Sequence, residues 1–156
     1  IRQTNISPDN EMLRITEGEY LYHDSRVQKK AHRAAQSKLV SSLSGNVPIR
    51  LYIMIGRPGS GKTHWIENHR PPHDRLPLYY EATNPEAGDR MDIVDLAKGS
   101  KDCVVCFVYL DISVETCLKR NLHRPEKGIS EDTIRDYKIE PPVCDEEFDE
   151  LIIVRK

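Results

Sequence analysis

The stretch G56-R-P-G-S-G-K-T63, preceded by L51-Y-I-M-I55 and followed by H64-W-I-E-N-H69, decides how this chain is read. It fits G-x-x-x-x-G-K-[ST], in which glycines let the backbone bend tightly and bring its N–H groups close to phosphate oxygens. Lys62 places a point charge by the β- and γ-phosphates, and Thr63 offers a hydroxyl to Mg²⁺. The apolar run before the loop reads as a buried parallel strand and the run after it as the opening of a helix. Strand, loop and helix in that order aim the positive end of a helix dipole at an anion.

Working outward, apolar strand patterns alternate with helical ones. Residues 1–7 read as a strand, and S7-P-D-N-E-M-L13 as its turn into a helix, with Ser7 or Asp9 as cap. A long helix is expected from Asp24 to Leu43, where Val27, Ala31, Ala34, Ala35, Leu39 and Leu43 recur at helical spacing. Further strands are expected at 76–82, 102–111 and 149–154, with 102–111, the most β-rich run, placed centrally. Helices are expected at 62–69, from 83 to about 98, at 113–124 and within 126–139. This alternation predicts an α/β fold: one domain, 1–156, with a five-stranded parallel sheet and helices on both faces. Ligand belongs at the carboxyl ends of the strands.

The 156 residues carry 23 Lys and Arg against 25 Asp and Glu, a net charge of −2, so any nucleic-acid contact must be local rather than a general basic field. No apolar run approaches the ~18 residues of a membrane span, and no signal-peptide pattern is read, so no membrane partner is expected. Cys103 and Cys106 form a CxxC inside an apparent strand and lack a second ligand pair for zinc. Plain thiols in a reducing, cytoplasmic setting are expected instead. Six histidines (23, 32, 64, 69, 73, 123) show no metal spacing and read as surface or structural.

Four patches together resemble the polynucleotide-kinase-like family of P-loop kinases, the phage and animal 5′-hydroxyl kinases. They are the loop itself, E81-A-T-N-P85, V108-Y-L-D-I-S-V-E-T-C-L-K-R-N-L-H-R124 with its Arg120-Asn121-x-x-Arg124, and I139–V154. I6–Q28 resembles the segment that carries that family's general base, at Asp9 here. That segment precedes the phosphate loop in this chain, whereas in the family it follows it. The strands are therefore expected to keep their places while the connections are rewired.

The resemblance implies an ATP- and Mg²⁺-dependent phosphotransferase acting on a hydroxyl, foremost the 5′-OH of DNA or RNA. Nucleotide contacts fall to Gly56, Arg57, Pro58, Gly59, Ser60, Gly61, Lys62 and Thr63, with Arg120 and Arg124 reaching from a lid at about 121–130. Thr63 and Glu81, the latter through water, would hold the metal, although the family usually has Asp at the Glu81 position. Asp9 would take the acceptor's proton, where the residues alone also allow a helix cap. Thr83 and Asn84 are candidate caps of the following helix. Where the family has an Arg three residues after the Asp, contacting a substrate phosphate, this chain has Met12, with Arg14 the nearest arginine. A nucleoside, a modified DNA base or a small metabolite as acceptor, or nucleotide binding without turnover, are the alternatives.

Overall fold

A computed structural model describes residues 4–155, and residues 1–3 of the first expected strand lie outside them. Five strands form one parallel sheet: β1 (Thr4–Ile6), β2 (Ile49–Ile55), β3 (Leu76–Tyr80), β4 (Cys103–Asp111) and β5 (Glu150–Arg155). Their spatial order is β1-β3-β2-β4-β5. The phosphate-loop strand β2 therefore takes the middle place expected for 102–111. β4 lies beside it, paired over its full length from Ile49↔Cys103 to Ile55↔Tyr109. β1, first in the chain, pairs with β3 at one edge, Thr4↔Leu78 to Ile6↔Tyr80. The first strand thus lies two positions from β2, with β3 between them.

Side-chain alternation along the strands builds two cores. Ile49, Leu51, Ile53 and Ile55 of β2 face one side with Leu78, Tyr80, Val105 and Phe107. There they meet α2 (Ser25–Leu43) through Ala35, Leu39 and Leu43, and α4 (Ala87–Ala97) through Ile93, Val94 and Ala97. Tyr52 and Met54 face the other side with Tyr79, Cys106, Val108 and Leu110. That side is covered by Ile66 of α3 (Lys62–Asn68), Cys117 of α5 (Val114–Asn121) and Ile134 of α6 (Glu131–Asp136). The expected helical stripe is buried at Ala31, Ala35, Leu39 and Leu43, while Val27 and Ala34 are half-buried.

The caps decide between the two candidates for α1 and correct the expectation for α4. Ser7, extended at φ −146°, is the N-cap of α1 (Pro8–Thr16), its Oγ accepting from the Asn10 amide at 3.0 Å. Asp9 lies inside the first turn, so its carboxylate is free of capping duty. Thr83 and Asn84 do not cap α4; Glu86 does, in a reciprocal capping box with Asp89. Asn84 instead sits buried at φ 47° and donates to the Met54 carbonyl at 2.7 Å, stitching the segment after β3 to β2. Among the described residues no helix is long and apolar enough to cross a membrane. All four cysteines are unpaired: Cys106 and Cys117 buried, Cys103 half-buried, Cys144 exposed.

One buried ion pair closes the first core. Arg90 of α4 is fully buried. It donates through Nε and Nη2 to the two carboxylate oxygens of Glu146 at 2.8 and 2.9 Å, and through Nη1 to the Asn84 carbonyl. The Arg90 hydrogen bonds hold the Glu146 carboxyl below its ordinary value of 4.5. A depressed carboxylate pKa adds stability above the unfolded value and loses it as pH falls through the folded one. Arg90→Ala should cost about 1–3 kcal/mol in urea unfolding, since it leaves the half-buried Glu146 carboxylate and the buried Asn84 carbonyl without their donor. Glu146→Gln should flatten the acid limb of the stability–pH curve below pH 4.5.

Candidate active site

In a parallel sheet every strand delivers its carboxyl end to the same edge, and three of these ends converge here. Gly56 follows β2, Glu81 follows β3, and Asp9 lies in the first turn after β1. The Glu81 amide donates to the Ile6 carbonyl at 2.8 Å and the Gly56 amide to the Thr83 carbonyl at 3.0 Å, which locks the three exits together. A cleft of about 770 Å³ opens above them. It is lined by Asp9, Pro58, Gly59, Gly61, Lys62, Thr63, Glu81, Arg120, Arg124 and Lys127, among others.

The loop has no spare room where its glycines stand. Gly59 is at φ +83°, and a Cβ there would lie 2.7 Å from the Cys117 carbonyl oxygen of α5. Gly61, the cap residue of α3, is at φ +98° with the Arg120 guanidinium 2.9 Å from the same imagined position. Arg120 fixes the loop by donating Nη1 to the Ser60 carbonyl at 2.8 Å and the Gly59 carbonyl at 3.3 Å. Arg57 turns its guanidinium away from the cleft and donates Nε to the Tyr137 carbonyl at 3.1 Å. Ser60 is buried beneath the loop. Gly56, Arg57 and Ser60 thus shape the loop from behind, and Pro58, Gly59, Gly61, Lys62 and Thr63 present its open face.

Cations meet that face with little to neutralise them. Lys62 folds back, Nζ 2.9 Å from both the Gly56 and the Arg57 carbonyls. Burial pushes its ammonium down to about 8, against the opposing pull of Glu81 and Asp9. Arg124 lines the cleft with Nε and Nη2 buried and without any hydrogen-bond acceptor. Two orphaned guanidinium nitrogens beside a phosphate loop have the donor geometry that an anionic oxygen satisfies.

Oxygen donors stand opposite. The Thr63 hydroxyl donates to the Glu81 carboxylate, 2.9 and 2.8 Å from its two oxygens. Asn5 of β1 also holds Oε1 at 3.3 Å. A hydroxyl and a carboxylate meeting at the root of a phosphate loop form a hard-oxygen donor pair. They suit Mg²⁺, which takes one or two protein oxygens and completes its shell with phosphates and water. Among the described residues no group of three or more His, Cys, Asp or Glu side chains converges on one point.

Two residues that the sequence reading missed complete the site. Lys127, in a 3₁₀ turn (Pro125–Lys127) after α5, pairs its Nζ with Asp9 Oδ2 at 2.8 Å and lies 5.0 Å over the Tyr20 ring. The Tyr22 hydroxyl donates to the same Oδ2 at 3.0 Å. Burial first, then the charge of Asp9, pushes the Tyr22 phenol above its ordinary value, so it stays a donor. Both partners use Oδ2, so the carboxylate is oriented through one oxygen, and Asp9 lines the cleft with no hydrogen bond to Oδ1 among the described residues. Met12 is buried, its sulfur accepting from the Leu21 amide, and Arg14 pairs with Glu11 outside the cleft. Neither supplies a cation beside Asp9, where Lys127 stands. The expected lid segment is tied by Asn121 Nδ2 to the Ile129 carbonyl at 2.8 Å, and Ile129 packs on the second core.

No protein-family model and no curated protein matches this sequence. A crystal structure from Chloroflexus aurantiacus, described as a “putative kinase”, is similar in fold. Its TM-score is 0.60 at 12% identity, with 99% of this chain and 74% of that one covered. The likeness supports the five-stranded parallel α/β architecture.

The packing at Gly59 makes a direct test of the loop. Gly59→Ala forces a Cβ against a backbone oxygen at positive φ, and should lower stability by about 1–3 kcal/mol and weaken binding of an ATP analogue. Gly45→Ala, with nothing within 4 Å of the new Cβ, should change neither. Thermal unfolding and fluorescence titration of the analogue read both effects.

Proposed function

We propose that this chain is an ATP-dependent phosphotransferase that moves the γ-phosphate to a hydroxyl, with the 5′-OH of a polynucleotide as the acceptor. The observation that carries this reading is the pairing, in one cleft, of two kinds of group. Lys62, Arg124 and the amides opening α3 are unneutralised donors, and Asp9 is an oriented carboxylate with one oxygen open. Phosphoryl transfer asks for donor charge neutralisation, an in-line acceptor and a group that takes the acceptor's proton. The likeness to a protein described as a kinase agrees with the coarser part of this reading.

In this reading the triphosphate lies along Gly59–Thr63. Lys62 exchanges its loop carbonyls for phosphate oxygens, and the buried Nε and Nη2 of Arg124 close on the transferring group. Thr63 and Glu81 would hold Mg²⁺, which would neutralise phosphate charge when bound. The acceptor hydroxyl approaches Oδ1 of Asp9. As the new O–P bond forms and the bond from the γ-phosphorus to the bridging oxygen breaks, the hydroxyl proton passes to Asp9 and ADP leaves. Tyr22 and Lys127 hold the carboxylate in line. Arg120 lines the same cleft and braces the loop, with its guanidinium on the Gly59 and Ser60 carbonyls.

Two variants separate the roles. Lys62→Ala should weaken ATP binding and abolish transfer, because a multiply charged phosphate loses its counter-charge. Asp9→Asn should fold and bind ATP as the parent does, since Ser7 and not Asp9 caps α1. It should lose about 10²–10⁴-fold in kcat for transfer to a 5′-hydroxyl oligonucleotide. Near-parental transfer by Asp9→Asn would remove the base, and unchanged nucleotide affinity in Lys62→Ala would remove the nucleotide site.

A further inference from the structure

The chain is slightly acidic overall, yet α2 is not. Between Ser25 and Leu43 it carries Arg26, Lys29, Lys30, Arg33 and Lys38 and no Asp or Glu. Beside this helix runs a second, more open groove of about 550 Å³. Four residues, Tyr22, His23, Gln28 and His32, line both it and the cleft above the phosphate loop, so the two are continuous. Lys29 and Arg33 line the groove farther on, and no acidic side chain does. Among the described residues neither takes part in an ion pair, whereas Lys38 on the same helix lies 3.9 Å from Glu11.

The spacing is as informative as the charge. Lys29 and Arg33 are one helical turn apart on one face, about 6 Å along the axis, comparable with the span of one extended nucleotide. At the junction with the cleft stands Tyr22, stacked on Tyr20 with ring centroids 5.6 Å apart and planes 14° apart. An aromatic pair followed by regularly spaced cations is the arrangement that tracks a single strand, with bases stacking on rings and phosphates meeting charge. Tyr22, which lines the groove as well as the cleft, donates to Asp9 Oδ2, so the groove opens beside the carboxylate at which a 5′-hydroxyl would be presented. A small uncharged acceptor would reach Asp9 without entering the groove at all.

We propose that the α2 groove seats the phosphodiester chain that trails from the acceptor hydroxyl, with Lys29 and Arg33 contacting successive phosphates and Tyr22 the terminal base. The proposal rests on the acceptor reading above and adds to it a second, separable binding site. That site places the main acceptor-phosphate contacts on α2, away from the position three residues after Asp9 that Met12 occupies. Longer acceptors should therefore bind better than a nucleoside 3′-phosphate, and the gain should be electrostatic.

The test uses binding as well as turnover. Fluorescence anisotropy of a labelled 5′-hydroxyl single-stranded dodecamer, titrated without ATP over a salt series, reads the groove directly. Lys29→Ala/Arg33→Ala should raise the Kd several-fold and reduce the slope of log K against log salt by about 1.4, or about 0.7 per lost phosphate contact. Transfer to an unphosphorylated nucleoside, which offers the groove no phosphate, should be unchanged. Arg26→Ala/Lys30→Ala removes the same charge from the same helix outside the groove, and should leave Kd and slope near the parent values. Three results would overturn the proposal: an unchanged slope in the groove variant, an equal effect in the control variant, or equally effective displacement of the dodecamer by polyglutamate. A chain that binds the dodecamer through Lys29 and Arg33 but transfers phosphate to no acceptor would refute the kinase reading while keeping the groove.

Discussion

The loop from Gly56 to Thr63 takes its shape because α5 and the segment after β3 both hold it. Gly59 lies against the carbonyl of Cys117, Arg120 grips the carbonyls of Gly59 and Ser60, and the Gly56 amide is tied to the segment after β3. None of these contacts is local. Each needs β2 at the centre of a parallel sheet with β3 and β4 on either side. The rest of the site follows from that placement, because strands running the same way must release their following loops at one edge. Asp9 and Glu81 therefore arrive beside Lys62 whatever order the chain visits the strands in. A site defined by strand ends tolerates a change of connections that would scramble one built on consecutive residues.

The electrostatics of the cleft are unbalanced in a way the fold does not require. Arg124 leaves two buried nitrogens without acceptors, and Lys62 settles for backbone carbonyls at the cost of a lowered pKa. Elsewhere the same chain neutralises a fully buried arginine completely, as Arg90 on Glu146 shows. The contrast singles out the cleft as the place where an anion completes the hydrogen bonding. On its far side, Lys127 and Tyr22 both hold one oxygen of Asp9 and leave the other open. Charge of one sign thus gathers over the loop, and an oriented carboxylate waits across from it.

How much of this the sequence disclosed depends on whether the determinant was local. The strands were legible as continuous apolar runs, because β2 buries side chains in both cores, and the long helix from periodicity, because Ala31, Ala35, Leu39 and Leu43 keep one face of α2. The strand–loop–helix turn at Gly56–Thr63 was legible because its glycines stand where the backbone takes positive φ, at Gly59 and Gly61. Other features were hidden because their partners lie far along the chain. Lys127 meets Asp9 across 118 positions, and nothing around either residue announces the other. Its position between Arg124 and Gly128 in a charged turn was the available hint. Thr83 and Asn84 look like caps by residue type, but the capping box of Glu86 and Asp89 starts the helix later, and Asn84 is drawn to the Met54 carbonyl. Asp9 looked like a cap for the same reason. Ser7 takes that role because it is the last extended residue before Pro8.

Label transfer tests the central claim most directly. The unaltered chain would be incubated with Mg²⁺ and ATP labelled at the γ-phosphate, together with a 5′-hydroxyl oligonucleotide, its 5′-phosphorylated counterpart and a no-acceptor control. The account predicts label on the 5′ end of the hydroxyl oligonucleotide alone, released by a phosphatase and absent from the pre-phosphorylated strand. Label that stays in ATP, or that appears only as inorganic phosphate at the same rate with and without acceptor, would contradict it.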